Sequence, residues 1–440
     1  FGTKQSRQTQ RFAFGLWMRE PGLLLCTVVF LGSTICIHRL LPSALLLGWQ
    51  RWRSNVGTSS SSSGVACNAR SAGMALAPWR MSRVEVREIL NKYEKAVEDD
   101  AYFLLQPSMA ERALLGDELL KTRAMMVRDA RDANRQFVDK VIEDLPDLCS
   151  GPNALTPPAQ PVAEFRILSE DCPTLPASSY GSLASVFLHL FRDWSADCLH
   201  VVTSTYDPAV AELQALLPQG GSVLVPGAGL GRLALALAAK GYSVEANDAS
   251  RLFLTFADYV MNRAPAASHT LFPLAHVFSE NWNHEAGQYK KIQVPAPGPA
   301  EIGSSGTGSL QQPITFVAGD FTKTYGPGRP GQRRFDAIVT SFFIDTAVDV
   351  LELFNVMDGL LADGGIWVNI GPLNWRKEAR LKLSWDEIVA VWERLGYEFV
   401  TKKAAEVDYH LPRGLKMYTE SYNCALTAAI KRKAKKQLEV

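Results

Sequence analysis

The chain has 440 residues, 47% of them hydrophobic and 21% charged. That is enough for two or three domains with a large buried core, and the mix excludes a wholly disordered, collagen-like or mostly membrane-embedded protein. The net charge of +1 hides an asymmetry: residues 1–80 carry nine Lys or Arg against the single acid Glu20, whereas the remaining 360 carry 37 basic and 44 acidic residues, or −7. The folded part is mildly acidic, which argues against a nucleic-acid groove. Seven cysteines without a C-x-x-C pair or a nearby histidine indicate neither a zinc site nor a disulfide framework.

The chain opens at Phe1. Leu23–Ile37 is an apolar run, followed by His38-Arg39 and a second run from Leu40 to Leu47. The first run is short for a bilayer span, and joining the two places Arg39 near the middle. The acid-poor, Arg-bearing character and the Ser59–Ser63 tract read equally as a targeting or anchoring segment and as untranslated sequence, with Met74 and Met81 as alternative starts. The expected layout is residues 1–80 as this segment, 81–150 as a helical region, and 151–440 as an α/β domain with a mobile Pro/Gly/Ser-rich insertion at about 285–312.

Ser82-Arg83-Val84-Glu85 reads as a capping box that opens a helical region of two or three segments reaching about Leu145, with Pro107 the one internal proline. Residues 149–161 form a linker by composition. Helices are predicted over Gly181–Leu199 and Pro208–Leu217, the latter with proline in its first turn. The period then changes. Ser222–Pro226 is a short buried strand, Gly227–Gly231 a glycine loop, Arg232–Lys240 a helix and Tyr242–Ala246 a second strand. Ile314–Val317, Phe335–Thr340 and Gly365–Ile370 supply later strands, with a helix at Thr346–Leu361, so the pattern is that of a parallel sheet covered on both faces.

The loop Gly227-Ala-Gly229-Leu-Gly231 lies between a strand and a helix, where backbone N–H groups are free to meet a ligand. Asp248 falls at the expected end of the second strand, placed to accept from two ribose hydroxyls. The dinucleotide fingerprint requires a glycine at 232, which here is Arg232, so G-x-G-x-G points to S-adenosyl-L-methionine rather than NAD. Asp320 and Phe321 follow a strand and suit the adenine amino group and ring. Arg192 offers a fork of donors for the methionine carboxylate, its alternative being a solvated helix arginine.

Taken together, RDWS (192–195), VPGAGLGRLA (225–234), Asn247-Asp248-x-Ser250, AGDF (318–321), SFFIDTA (341–347) and GGIWVNIGPL (364–373) resemble the carnosine N-methyltransferase family, with looser similarity from about Ser82 to KMYTESYNC (416–424). The resemblance implies a doubly wound, Rossmann-like, seven-strand methyltransferase sheet with an added N-terminal helical region. It carries cofactor roles onto Arg192, Gly227, Asp248, Asp320, Phe321 and Ser341, with His189 in place of a family glutamine, Asp248 in place of a glutamate, and Gly229 and Gly231 completing the loop. For the reaction it singles out Asp345, at the carboxyl edge of an apolar strand where open α/β sheets hold their sites. There a carboxylate orients an imidazole and stabilises its developing charge; the alternative is that Asp345 caps the helix at Thr346. The expected reaction is a direct, metal-free in-line methyl transfer to an imidazole nitrogen. Trp367, Trp375 and Phe342-Phe343 either wall the pocket or belong to the core.

On the acceptor side the match loosens. A family histidine falls on Arg376, a family tyrosine on Glu420, and Tyr409 aligns only with a gap, whereas Tyr422 matches directly. A guanidinium cannot accept from an imidazole and would rather meet a carboxylate. The expected partners are a small molecule or peptide bearing an imidazole, no nucleic acid, a second copy of the chain, and a membrane only if the N-terminal apolar segment anchors. The catalytic domain is expected in the cytoplasm and, through the basic run near its end, in the nucleus, with organelle targeting or membrane anchoring left to residues 1–80. Competing readings are a protein histidine or lysine methyltransferase and a catalytically silent cofactor-binding scaffold. The basic run 431–436 reads as a nuclear signal or, more simply, a solvated terminal helix.

Overall fold

The computed structural model describes residues 79–145, 161–168, 182–304, 310, 313–409 and 411–432. The N-terminal apolar runs, most of the 149–161 linker and most of the basic run 431–436 lie outside them. No helix among the described residues is long and apolar enough to cross a membrane.

The helical region contains Arg83–Asp100, Tyr102–Leu105, Met109–Leu115 and Asp117–Glu143. The capping box forms as expected: Ser82 Oγ accepts from Glu85 N at 3.2 Å and Glu85 Oε2 accepts from Ser82 N at 2.7 Å. A second box, Ser108 with Glu111, restarts the chain just after Pro107, because proline disfavours helix in the residue before it. The buried stripe Val86, Leu90, Tyr93 and Val97 and the stripe Phe137, Val138 and Val141 join the core of the α/β part. The two regions therefore share one hydrophobic interior.

The strands in chain order are β1 Ala163–Arg166, β2 Ser222–Pro226, β3 Ser243–Asp248, β4 His269–Leu271, β5 Ile292–Val294, β6 Ile314–Ala318, β7 Phe335–Ser341, β8 Leu361–Gly371, β9 Tyr397–Asp408 and β10 Ser421–Lys431. The main sheet runs β1-β6-β3-β2-β7-β8-β10-β9. β10 is antiparallel to β8 and β9, and the remaining pairs are parallel. From β6 to β9 these are the seven strands expected, and β1 adds an eighth at the edge. Three contacts explain β1. Phe165 stacks between Trp79 and Phe316 at ring distances of 5.0 and 4.6 Å. Arg166 Nη2 donates at 3.0 Å to Glu245 of β3, a carboxylate that also takes Arg333 at 2.9 Å and the Tyr325 hydroxyl at 2.8 Å.

Adjacent residues of the central strands feed opposite cores: Val223 and Val225 face one, Leu224 the other; Ala337 and Val339 face one, Ile338 the other. A sheet buried on both faces gives the near-continuous apolar runs seen in the sequence.

Some expectations shift. One helix runs Leu199–Leu216, so Pro208 lies inside it rather than at its start. Val201, Val202, Thr205, Tyr206, Ala209, Val210 and Leu213 bury a face that continues through the proline, and this packing offsets the backbone penalty. Within 285–312, β5 pairs with β4 and Pro299–Ser304 is helical, with Val294, Pro295 and Pro299 buried; that much of the insertion is packed structure rather than a loop. Trp367 is core: it is fully buried, stacks on Trp392 at 4.2 Å and donates to Thr340 Oγ1.

Candidate active site

The glycine loop leaves the carboxyl end of β2 with Gly227, Gly229 and Gly231 at φ +65°, +54° and +85°. These are left-handed values that other residues adopt at a cost. Two of the three glycines also have neighbours that exclude a side chain. A Cβ on Gly227 would lie 2.5 Å from the Phe343 ring, and one on Gly231 would lie 2.7 Å from the Met261 sulfur. Gly229 alone is open, its nearest such neighbour being Phe253 at 3.9 Å. The loop is therefore shaped by packing at its ends and free for close approach at its centre.

Asp248 is the last residue of β3. Its Oδ2 accepts from Gly229 N at 2.9 Å and its Oδ1 from Ser250 N at 2.8 Å, which fixes the carboxylate against the loop. Burial raises its pKa, with those amides and that of Ala249 opposing. Gly319 N donates to Asp248 O at 3.0 Å, so Asp320 and Phe321 start beside it. Asp320 caps the helix Phe321–Tyr325, accepting at Oδ1 from Lys323 N at 3.2 Å and Thr322 Oγ1 at 3.0 Å. Phe321 meets Phe343 edge-on at 5.7 Å. Phe343 thus links the glycine loop to the Asp320-Phe321 pair.

Arg192 is not a solvated helix arginine. It is 7% exposed; Nε and Nη2 donate to Asp193 at 2.7 and 3.0 Å, and Nη2 also reaches the Tyr206 hydroxyl at 3.0 Å. Burial alone would lower its pKa, but Asp193 and its other partners raise it above the usual arginine value. Its guanidinium lies 5.6 Å over the Tyr409 ring. Beside it, Arg232 packs over Trp194 and keeps Nη1 buried without a hydrogen-bond partner. His189, one turn earlier on the same helix, bonds Ser185 O at 2.8 Å and meets Phe253 edge-on at 4.9 Å.

β7 ends at Ser341, and Phe342 turns away at φ +50° with its N–H on Ile370 O at 3.0 Å. That turn aims the two phenylalanines differently: Phe343 goes to the glycine loop, Phe342 to the C-terminal strands. Tyr409 stacks on Phe342 at 4.5 Å, and Tyr422 meets both edge-on, at 5.9 Å from Phe342 and 5.6 Å from Tyr409. The Tyr422 hydroxyl donates to Glu420 Oε1 at 3.2 Å.

Asp345 follows within the short turn Ile344–Thr346. It does not cap a helix: the next one begins at Val350 and is capped by Asp349. Instead its Oδ2 accepts from Asn374 N at 2.8 Å, which ties the turn to the loop after β8. Arg376 N adds a 3.4 Å bond to Asp345 O. Burial pushes the Asp345 carboxyl up to about 6, with the Asn374 amide and the Arg376 charge opposing. Tyr409 and Cys424 are close enough to feel its charge.

Two groups of residues result, joined by the consecutive pair Phe342-Phe343. One holds the glycine loop, Asp248, Asp320 and Phe321; the other holds Asp345, Tyr409, Tyr422 and the backbone of Arg376. Arg192 reaches the second group through Tyr409. Asp193, Tyr206 and Asn374 were not singled out from sequence, although Asp193 stands in the RDWS string and Asn374 directly follows GPL. Trp375 anchors the loop after β8, donating to Leu383 O at 2.9 Å.

A family model for carnosine N-methyltransferase matches residues 175–433. The carnosine N-methyltransferase of Rattus norvegicus is 31% identical over 266 residues, covering 57% of this chain and 64% of the relative. That of Schizosaccharomyces pombe is 27% identical over 248 residues, covering 52% and 65%. The chain thus spans just under two thirds of the length of these curated relatives. Among solved structures, TehB from Haemophilus influenzae aligns with 51% of this chain and 61% of its own at 15% identity and a TM-score of 0.33. The 1,6-didemethyltoxoflavin-N1-methyltransferase of Burkholderia thailandensis aligns over 60% and 93% at 17% identity and a TM-score of 0.31. The family match takes in well over half of the chain and both groups of site residues, and on that ground the chain belongs to the carnosine N-methyltransferase family.

Proposed function

We propose that the chain is an S-adenosylmethionine-dependent N-methyltransferase acting on an imidazole nitrogen of carnosine or a related histidine-containing small molecule or peptide. The observation that carries the reading is Asp345: a buried carboxylate at the carboxyl edge of the sheet, held by a backbone amide and close enough to Tyr409 for its charge to act there.

The donor set suits the cofactor. The Asp248 carboxylate accepts from the amides of Gly229, Ser250 and Ala249 and keeps a lone pair for a ribose hydroxyl, Gly229 leaves room for close approach, and Arg232 Nη1 is a buried donor that a carboxylate would satisfy. When bound, the sulfonium of S-adenosylmethionine supplies the electrophilic methyl carbon. A neutral imidazole has one bare nitrogen to attack with and one N–H. Asp345 accepts from that N–H, which fixes the tautomer, turns the bare nitrogen toward the methyl group and stabilises the ring as it gains positive charge. The ring's proton can then leave onto the carboxylate. Phe342, Tyr409 and Tyr422 hold the ring plane and exclude water, so orientation supplies much of the acceleration. Arg376 suits a carboxylate on the acceptor.

The test is mass spectrometry after incubation with heavy-methyl cofactor and carnosine, histidine, other histidine-containing dipeptides and short His peptides. Heavy label on an imidazole nitrogen is the expected result. Absence of label from every imidazole compound, with cofactor binding intact, would end this reading.

A further inference from the structure

The connection between β9 and β10, residues 409–420, starts at one pocket tyrosine and ends just before the other. Its tip is fastened to the distant segment Ser279–Trp282. Lys416 is only 3% exposed, and its Nζ donates to Ser279 O and to Asn281 Oδ1, each at 2.7 Å. The backbone completes the attachment: Trp282 Nε1 donates to Lys416 O at 3.0 Å, and Met417 N donates to Glu280 O at 2.9 Å. Glu280 sits at φ +58°, a conformation that is unfavourable for a non-glycine residue and persists where the surroundings over-determine it.

The partners of the ammonium are a carbonyl and an amide; neither is a carboxylate. Burial lowers the Lys416 pKa, and Glu280 opposes this only through its charge. An apolar residue of similar volume would serve better as a plain anchor, since burying a charge on dipoles is unfavourable. What the ammonium adds is direction: donors aimed at two points of one segment fix where the connection lies.

We propose that Lys416 is a positioning residue for the acceptor pocket. By clasping the β9–β10 connection to Ser279–Trp282 it sets how Tyr409 and Tyr422 stand around Phe342 and opposite Asp345. The inference rests on the acceptor site proposed above.

Lys416→Met and Lys416→Arg in the full chain are compared with the unaltered protein by three measurements: amide hydrogen exchange, calorimetric titration with S-adenosylhomocysteine, and initial rates with carnosine. The Met variant is expected to speed exchange at 409–422 at least tenfold while 425–430 stays unchanged. Its KM for carnosine rises tenfold or more, its S-adenosylhomocysteine Kd stays within twofold, and the Arg variant recovers part of the loss. Unchanged exchange overturns the proposal, as does faster exchange with an unchanged KM. A parallel loss of cofactor affinity overturns it too, because that marks general destabilisation. Should the Met variant not fold, Asn281→Ala and Trp282→Phe each remove one partner and must shift the same two quantities, by less. If the unaltered protein methylates no carnosine, the functional reading fails by itself; exchange at Tyr409 and Tyr422 then decides the part of Lys416, faster exchange supporting it and no change overturning it.

Discussion

Asp345 combines two demands that oppose each other. Burial raises its carboxyl from 3.8 to about 6, whereas the role proposed for it, orienting an imidazole, requires the ionised form. Because the folded pKa is raised, the folded state holds the proton more tightly than the unfolded chain. This contribution to stability is full below pH 3.8 and is lost as pH rises through about 6, above which the ionised group costs roughly 3 kcal/mol. Asp345→Asn is therefore expected to lower kcat at least a hundredfold, while its Tm at pH 8 equals or exceeds that of the unaltered protein. The unaltered protein's kcat should rise through about pH 6, a limb that stopped-time assays on the variant should not show. At the glycine loop, Gly227→Ala meets both a positive φ and the Phe343 ring, so a Tm decrease and at least tenfold weaker S-adenosylhomocysteine binding by calorimetry are expected. Gly229→Ala has the positive φ without the clash and should lower Tm less. The residue types at these positions were legible in the sequence. The packing reason for Gly227 was not, because Phe343 approaches from more than a hundred positions away.

Local signals fixed the elements well where they were strong. The Ser82–Glu85 capping box and the Gly-rich start of Arg232–Ala238 stand where the pattern put them. The helix around Pro208 differs, because burial of one continuous face outweighed a local breaker. Pro208→Ala should restore a donor to the helix interior and raise Tm by about 2 °C or more in a thermal melt; a lower Tm would show that the proline shapes the packing. β1 escaped notice because a four-residue strand beside a linker has no periodicity to read. Its place is set by Arg166 reaching Glu245, two strands away in the sheet. Asp345 illustrates the same limit. Aspartate four residues past a strand reads equally well as a helix cap, and only the later start of the helix, at Val350, removes that alternative.

At the scale of the molecule, the N-terminal helices are part of the core. Tyr93 meets Phe187 edge-on at 5.1 Å, and Phe137 lies 5.9 Å from Phe256. Asn134 makes a two-way bond to the backbone of Phe272, at 2.8 and 3.0 Å. A chain restricted to residues 161–440 would bare those aromatic faces, and each lost large contact costs about 2 kcal/mol or more. It is expected to be insoluble or to melt without a cooperative transition by circular dichroism, even though the family match begins only at residue 175.

The sequence by itself determined the strand and helix alternation and the cofactor class, because these depend on local period and on short strings of residue types. Which residues meet was decided only by tertiary structure. Phe342 and Phe343 are neighbours in the chain, yet one joins Tyr409 and Tyr422 and the other the glycine loop, since a left-handed turn at the end of β7 sends their rings in different directions. Arg192 holds its own neighbour Asp193 and leans on Tyr409 for the same kind of reason: in a dry interior a charge takes the partners that the fold brings within reach.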